Sequence, residues 1–338
     1  MKFLIVGGTG LISTAITRLL LEKGEDVTLY NRGTSEARIP VGAKQIQGDR
    51  TQYSVFEAQI QEAGTFDVVI DMICYTPEDA QSAVRALSGR TGQLIFCSTV
   101  DVYSKPGVHM PYREDEPRNA ITEYGRNKVK CENILLQAHA HGNFKVTIIR
   151  PAATYGEGGK IIHSFGWSTT YLDRLRKGKP IVVHGDGNSL WVMCHIDDVA
   201  RAFIAAAGNS KTHGRAYHTT GEEWMSWNQF HRTVAIAMGA PPPKLVHIPT
   251  DLLYRLAPQR AEISYGNFQY SNVYDNSAAK SDLNFRYTIP FLEGARRTIA
   301  WLDARNLILN SDEDPFDDRL IAAWEQLAGQ MANALKER

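Results

Sequence analysis

Lys2-Phe3-Leu4-Ile5-Val6-Gly7-Gly8-Thr9-Gly10-Leu11-Ile12-Ser13 is the stretch on which the reading of this chain turns. Its apolar run is the length of a short buried strand, and its glycines mark a tight turn. Leu11, Ile12, Ala15, Ile16, Leu19 and Leu20 then recur at helical spacing up to Lys23. Gly24 stops that helix, and Val27 to Tyr30 reads as a second strand. Strand, glycine turn, helix and strand make a βαβ unit. In such a unit the turn sets main-chain N–H groups at a helix start against a pyrophosphate, and glycine is required where the backbone must come that close. Gly7, Thr9, Gly10, Leu11 and Ile12 are thus the expected cofactor-binding turn. Ser13 stands where a third glycine usually serves close helix packing, a task a small side chain can fill.

The end of the second strand selects between cofactors. A carboxylate there accepts the ribose 2′-hydroxyl of NAD; this chain has Asn31 followed by Arg32. With no carboxylate to repel a 2′-phosphate and a guanidinium able to pair with it, NADP is the preferred cofactor and NAD remains possible. Arg32 stacked on the adenine would admit either. The alternation continues with strands at Lys44 to Gln47, Asp67 to Met72 and Gln93 to Cys97, and helices near Val55 to Ala63 and Glu78 to Leu87. Asp49, at a strand's carboxyl end, is read either as a bond to the adenine amino group or as a loop cap. Alternation this regular implies an α/β fold with a Rossmann-type doubly wound parallel sheet and ligands outside the carboxyl strand ends.

Composition narrows the function classes. The 338 residues hold 37 Lys plus Arg against 37 Asp plus Glu, so no overall positive field favours nucleic acid or an anionic membrane. Cys74, Cys97, Cys131 and Cys194 are scattered without a CxxC pair, which suits reduced thiols and a cytoplasmic setting. No histidine or cysteine spacing suggests a metal site. The opening apolar run ends too early for a signal peptide, and no later stretch approaches a membrane span.

The chemistry is expected on Tyr124-Gly125-Arg126-Asn127-Lys128. A tyrosine and a lysine four apart share a helix face. A free phenol titrates near pH ~10; a nearby ammonium, aided by a cationic oxidised nicotinamide, is expected to pull Tyr124 toward neutrality and make it an acid/base. With 14 tyrosines in the chain the spacing alone is weak, and its surroundings have to carry it.

Gly7-Gly8-Thr9-Gly10, Cys97-Ser98-Thr99-Val100-Asp101-Val102-Tyr103 and Tyr124-x-x-x-Lys128 with Glu132 beyond together resemble the extended short-chain dehydrogenase/reductases, the NAD-dependent epimerase/dehydratase family. Val27-Thr28-Leu29-Tyr30-Asn31-Arg32-Gly33 resembles the branch of the chloroplast stem-loop-binding proteins. Arg150-Pro151-Ala152 looks like the strand end against the nicotinamide, His195-Ile196-Asp197-Asp198 like a second-half signature, and Asp275-Asn276-Ser277 through Trp301 like the closing segment. The resemblance fades after about Ala304.

It implies Thr99 as the hydroxyl that bonds the reacting substrate oxygen, Tyr124 as acid/base, and Lys128 as its support and a ligand of the nicotinamide ribose. Pro151 joins the cofactor contacts. Asp101 holds a place where dehydratases carry a carboxylate acid/base, and Glu132 is expected as a helix ion pair. Trp191 replaces an arginine that clamps a substrate diphosphate in sugar-nucleotide enzymes, so the substrate is expected to be carbohydrate-like without that clamp. Trp191, His163 and Tyr265 are the expected substrate contacts. The resemblance also implies a homodimer and a smaller C-terminal substrate domain.

The expected division is 1–156 as the dinucleotide-binding domain with 185–221 returning to it, 157–184 and 222–310 as the substrate domain, and 311–338 as a C-terminal helix. There Leu320, Trp324, Leu327 and Met331 recur at helical spacing, as for a face docked on the body or on a partner subunit. The function expected is oxidoreduction at a secondary alcohol or ketone of a sugar-like molecule, without membrane or nucleic-acid partners. The alternatives are an RNA-binding or RNA-processing protein like the stem-loop-binding relatives, and a cofactor-sensing regulator that does no catalysis.

Overall fold

The computed structural model describes residues 1–34 and 39–336, and its chain divides into two compact units. The first comprises Met1–Thr154, Val192–Glu222 and Val273–Ile289; the second comprises Tyr155–Trp191, Glu223–Asn272 and Pro290–Arg338.

The first unit is built on a seven-stranded sheet whose paired neighbours all run parallel. Its strands are β1 (Lys2–Val6), β2 (Asp26–Asn31), β3 (Lys44–Gln47), β4 (Phe66–Asp71), β5 (Thr91–Cys97), β6 (Lys145–Pro151) and the strand Arg215–Thr219. Their spatial order is β3, β2, β1, β4, β5, β6, then Arg215–Thr219. Because strand residues alternate between faces, Phe3 and Ile5 enter one core with the helix α1 (Leu11–Glu22) and the helix Ile196–Ala206. Leu4 and Val6 enter the opposite core with α2 (Tyr53–Ala63), α3 (Pro77–Leu87) and α4 (Glu123–Ala140). Burial on both faces is why Phe3–Val6 of β1 and Val68–Ile70 of β4 are unbroken apolar runs. The order reverses between β1 and β4, which opens a crevice at the carboxyl ends of those strands.

The second unit holds a parallel pair, Ile181–His184 with Leu245–Ile248, and an antiparallel pair, Leu190–Trp191 with Met225–Ser226. Helices including Trp227–Met238, Phe291–Asp303 and Phe316–Ala334 pack with them.

This division corrects the expected boundaries. Residues 185–191 belong with the second unit, where Trp191 pairs with Met225 and stacks on Trp227. Val273–Ile289 returns to the first unit, because Tyr274 bridges to Tyr112 and the Asn276 side chain bonds both the main-chain N–H and the carbonyl of Thr220. The C-terminal stretch is part of the second unit's core. Leu320 and Trp324 pack on the cluster containing Phe165, Val182 and Ile248, while Leu327 and Met331 are exposed. Residues 337 and 338 of that stretch lie outside the described ones.

Candidate active site

A groove of about 380 Å³ occupies the crevice, lined by the turn after β1 (Gly7, Thr9, Gly10), the end of β2 (Asn31, Arg32), the loop after β3 (Asp49, Arg50, Thr51) and the loop after β4 (Ile73, Tyr75). Gly7 has φ +89°, and a Cβ added there would come within 2.5 Å of the Ile73 side chain, so glycine is needed on two counts. Ser13 does more than stay small: its Oγ accepts from Gly10 N at 2.8 Å and donates to Gly7 O at 2.7 Å, pinning the turn. Leu11 and Ile12 open α1, and the first amide to bond back into the turn is Thr14 N, to Gly10 O at 3.1 Å. The N–H groups ahead of it are those a helix start leaves for an anion.

At the end of β2, Asn31 accepts from Gly33 N (2.9 Å) and from the Gln45 side chain (2.7 Å). Its buried Nδ2 has no partner among the described residues. Arg32 is exposed. The Asp49 carboxylate accepts from Thr51 N and Oγ1, and these bonds, with desolvation opposing and Arg32 assisting, hold it below the usual carboxylate range. Asp49 is therefore a loop cap on the groove wall. Arg50, which sequence reasoning missed as a site residue, is buried and bonds Asp71 at the end of β4 (3.0 Å) and the main chain of Asp79 (2.8 Å). It ties the loop after β3 to the strand end beside it. The glycine cradle, the unsatisfied helix-start amides and the orphaned Asn31 nitrogen fit a dinucleotide.

The expected catalytic residues meet beyond β5. Thr99 follows β5 and caps a short turn, its Oγ1 accepting from Asp101 N at 3.1 Å. Thr122 caps α4 by accepting from Gly125 N at 3.0 Å, which places Tyr124 in the first turn. Gly125 is what lets that turn approach: an added Cβ would run into the Asp101 carbonyl oxygen and the Ala120 side chain. Lys128, 1 % exposed, donates to Cys74 O (2.9 Å) and Cys97 O (2.8 Å), stapling α4 to the loop after β4 and to the end of β5. Its ammonium lies 5.8 Å from the Tyr124 ring centre, 4.7 Å from Phe96 and 4.9 Å from Tyr75.

The chain's own groups raise the Tyr124 phenol above its ordinary value, chiefly by desolvation, with Cys97, Asp101 and Tyr75 adding to this and a hydrogen bond with Thr99 opposing it, although 43% of the residue is exposed; the expected lowering rests in part on a nicotinamide's positive charge. Asp101 pairs with Lys105 at 3.2 Å, and burial lowers the Lys105 pKa against that pairing.

Glu132 is an ion pair, as expected, with partners other than its helix neighbour. It accepts from Ser98 Oγ (2.6 Å) and from Arg150 Nε and Nη2 (2.8 and 2.7 Å) in the interior, and from the partly exposed Arg118 (2.7 Å). Arg150 also donates to Tyr103 OH (2.6 Å), which meets His218 Nε2 at 2.5 Å. Pro151 ends β6 opposite Thr219.

In the second unit, the rings expected to meet substrate are mostly spoken for. Trp191 is buried, stacked on Trp227 at 5.1 Å with Phe268 edge-on at 4.6 Å, so it is core. His163 is buried and stacked on Tyr171 at 4.6 Å; desolvation lowers its pKa to about 3, which keeps it neutral. Packing against neighbouring rings holds both side chains. Tyr265 is exposed and stacked on Tyr254 at 4.4 Å. Among the described residues no metal-binding cluster occurs, all four cysteines are free and buried, and no helix is long and apolar enough to cross a membrane.

A parallel Rossmann sheet, a glycine cradle at its switch point and a Thr, Tyr and Lys set beside it define an extended short-chain dehydrogenase/reductase. The profile of the NAD dependent epimerase/dehydratase family matches residues 3–219, and the chain belongs to that family. It is 30% identical over 259 residues to the chloroplast stem-loop binding protein of 41 kDa b of Arabidopsis thaliana, covering 73% of this chain and 65% of the plant protein. It is 26% identical over 241 residues to 2'-dehydrokanamycin reductase of Streptomyces kanamyceticus, covering 71% and 68%. UDP-glucuronic acid 4-epimerase from Bacillus cereus, solved in complex with NAD, shares the fold with a TM-score of 0.72 at 18% identity, over 90% of this chain and 99% of that one.

Proposed function

We propose that the chain is an NADP-preferring oxidoreductase acting at a ketone or secondary alcohol of a carbohydrate-like substrate, with Tyr124 as acid/base. The observation that carries this reading is the convergence of Thr99, Tyr124 and Lys128 beside a groove suited to a dinucleotide. A bound nicotinamide supplies hydride exchange with the substrate carbon. Thr99 holds the reacting oxygen, Tyr124 moves the proton, and Lys128 keeps α4 in register while its ammonium favours negative charge on that oxygen. A protonated phenol can donate to a carbonyl in reduction, and the tyrosinate can take the proton back in oxidation. The name of the Streptomyces relative, 2'-dehydrokanamycin reductase, supports reduction.

Asn31 and the exposed Arg32 support the NADP preference. Asp101, paired with Lys105, stands as a charged neighbour of the phenol and is assigned no proton transfer. Of the expected substrate contacts, exposed Tyr265 is retained. A cytoplasmic location, suggested by the free thiols, and a homodimer complete the reading.

The test is to incubate purified protein with NADPH or NADH and a panel of keto sugars, including oxidised aminoglycosides, while following absorbance of the reduced cofactor. Consumption that Tyr124→Phe abolishes is expected; equal turnover by the variant would sink the assignment. The plant relative's name supports a second reading, binding of structured RNA, which a salt-dependent gel shift would reveal.

A further inference from the structure

The geometry points to Tyr75 as a positioning residue for the nicotinamide end of the cofactor, its ring forming the wall shared by the dinucleotide groove and the Lys128–Tyr124 pair. This rests on the reading of the groove as a dinucleotide site.

Four observations place the ring there. Tyr75 lines the groove, where the other aromatic lining residue, Tyr30, is fully buried and Tyr75 is 47% exposed. Its ring lies 4.9 Å from the Lys128 ammonium and 6.4 Å from the Tyr124 ring, tilted by 48°. Lys128 is nonetheless 1 % exposed, and its third N–H has no oxygen partner among the described residues. The main chain on both sides of the ring is fixed: Tyr75 N donates to the Asp79 carboxylate at 2.9 Å, and the carbonyl of Cys74 accepts from Lys128. The half-exposed Tyr75 ring and the buried Phe96 ring thus enclose an ammonium that still has one N–H to give.

An aromatic face over a cation excludes water and favours the charge. The exposed part of the Tyr75 ring is flat apolar surface on which a planar pyridine ring can stack. Tyr75 therefore sets where the nicotinamide riboside rests relative to Lys128 and Tyr124, while Asn31 and Arg32 serve the other end of the groove. The contribution is made by the ring and needs no hydroxyl.

The experiment titrates the full chain with NADPH and, separately, with 2′,5′-ADP, which carries the adenine half alone. Affinity and the emission of the reduced nicotinamide are both recorded. Tyr75→Ala and Tyr75→Leu are expected to weaken NADPH binding by about tenfold and to remove the emission change that packing against the ring produces. Binding of 2′,5′-ADP should stay as in the parent protein, and Tyr75→Phe should restore both readouts. Arg32→Ala should do the reverse, weakening 2′,5′-ADP and sparing the emission change. NADPH affinity and emission unaltered in Tyr75→Ala would overturn the assignment, as would a parallel loss of 2′,5′-ADP binding, since that marks general damage to the groove. A parent protein that binds neither ligand would overturn the dinucleotide reading itself, a failure distinct from the first two.

Discussion

At Gly125 the helix that carries Tyr124 comes against the main chain of Asp101, and no Cβ fits between them. Gly125→Ala must push the α4 start away from a carbonyl that cannot yield. A loss of about 1–3 kcal/mol is expected in urea unfolding, with a larger fractional loss of turnover than of cofactor affinity, because Thr99 and Tyr124 separate while the groove stays intact. Tyr124→Phe removes the proton path and should lower turnover by about 10²–10⁴-fold, leaving cofactor affinity near that of the parent in the same fluorescence titration. The raised phenol makes a signed statement about pH: Tyr124 remains a donor through neutrality, so reduction should persist into mildly alkaline buffer and decline only above the ordinary tyrosine range. A rate profile that falls through pH ~7 would assign the proton to another group.

At the scale of elements, α4 is fastened twice to the carboxyl edge of the sheet, by Lys128 on Cys74 and Cys97 and by Glu132 on Ser98 and Arg150. Glu132 is buried, and although desolvation opposes it, Arg150, Ser98 and Arg118 hold its carboxyl below the usual range. Removing Arg150 leaves the buried carboxylate with Ser98 and the partly exposed Arg118 alone. Arg150→Met is accordingly expected to cost about 3–5 kcal/mol, read as a lower urea midpoint with an unchanged slope, and Glu132→Gln with Arg150→Met together should cost less than the two apart. Equal additive losses would show that the two side chains act independently.

Over the whole molecule, acid should act on buried histidines. His163 and His218 are held neutral to about pH 3 by desolvation, and burial lowers His184 and His231 as well. Above pH ~6.5 both folded and unfolded chains keep them neutral and they contribute nothing to the pH dependence; below it the unfolded chain takes up protons that the folded one refuses. Stability therefore falls as pH drops from about 6.5 toward 3, by about 3 kcal/mol at pH 4 for His163 alone. Thermal melts between pH 7 and pH 4 check this, and His163→Gln should flatten part of the slope.

The first five strands were legible in order, because buried strands carry apolar runs and helices on a face repeat every three or four residues, whereas the strand Arg215–Thr219 was not read as one. The glycine turn was legible because it joins a strand to a helix; Thr99 came from the resemblance to the family, which also gave weight to a Tyr124–Lys128 spacing that is weak by itself. The rest depended on contacts distant in sequence. Glu132 found Arg150 and Arg118 in place of its helix neighbour, desolvation raised the Tyr124 phenol, Trp191 was claimed by Trp227 far along the chain, and His163 by nearby Tyr171 and distant His231. Hydrophobic period and turn chemistry are properties of a short stretch and survive in the sequence. Desolvation, ion-pair partners and the choice between core and site belong to the packed chain, where each is set by whichever neighbour the fold brings within a few ångströms.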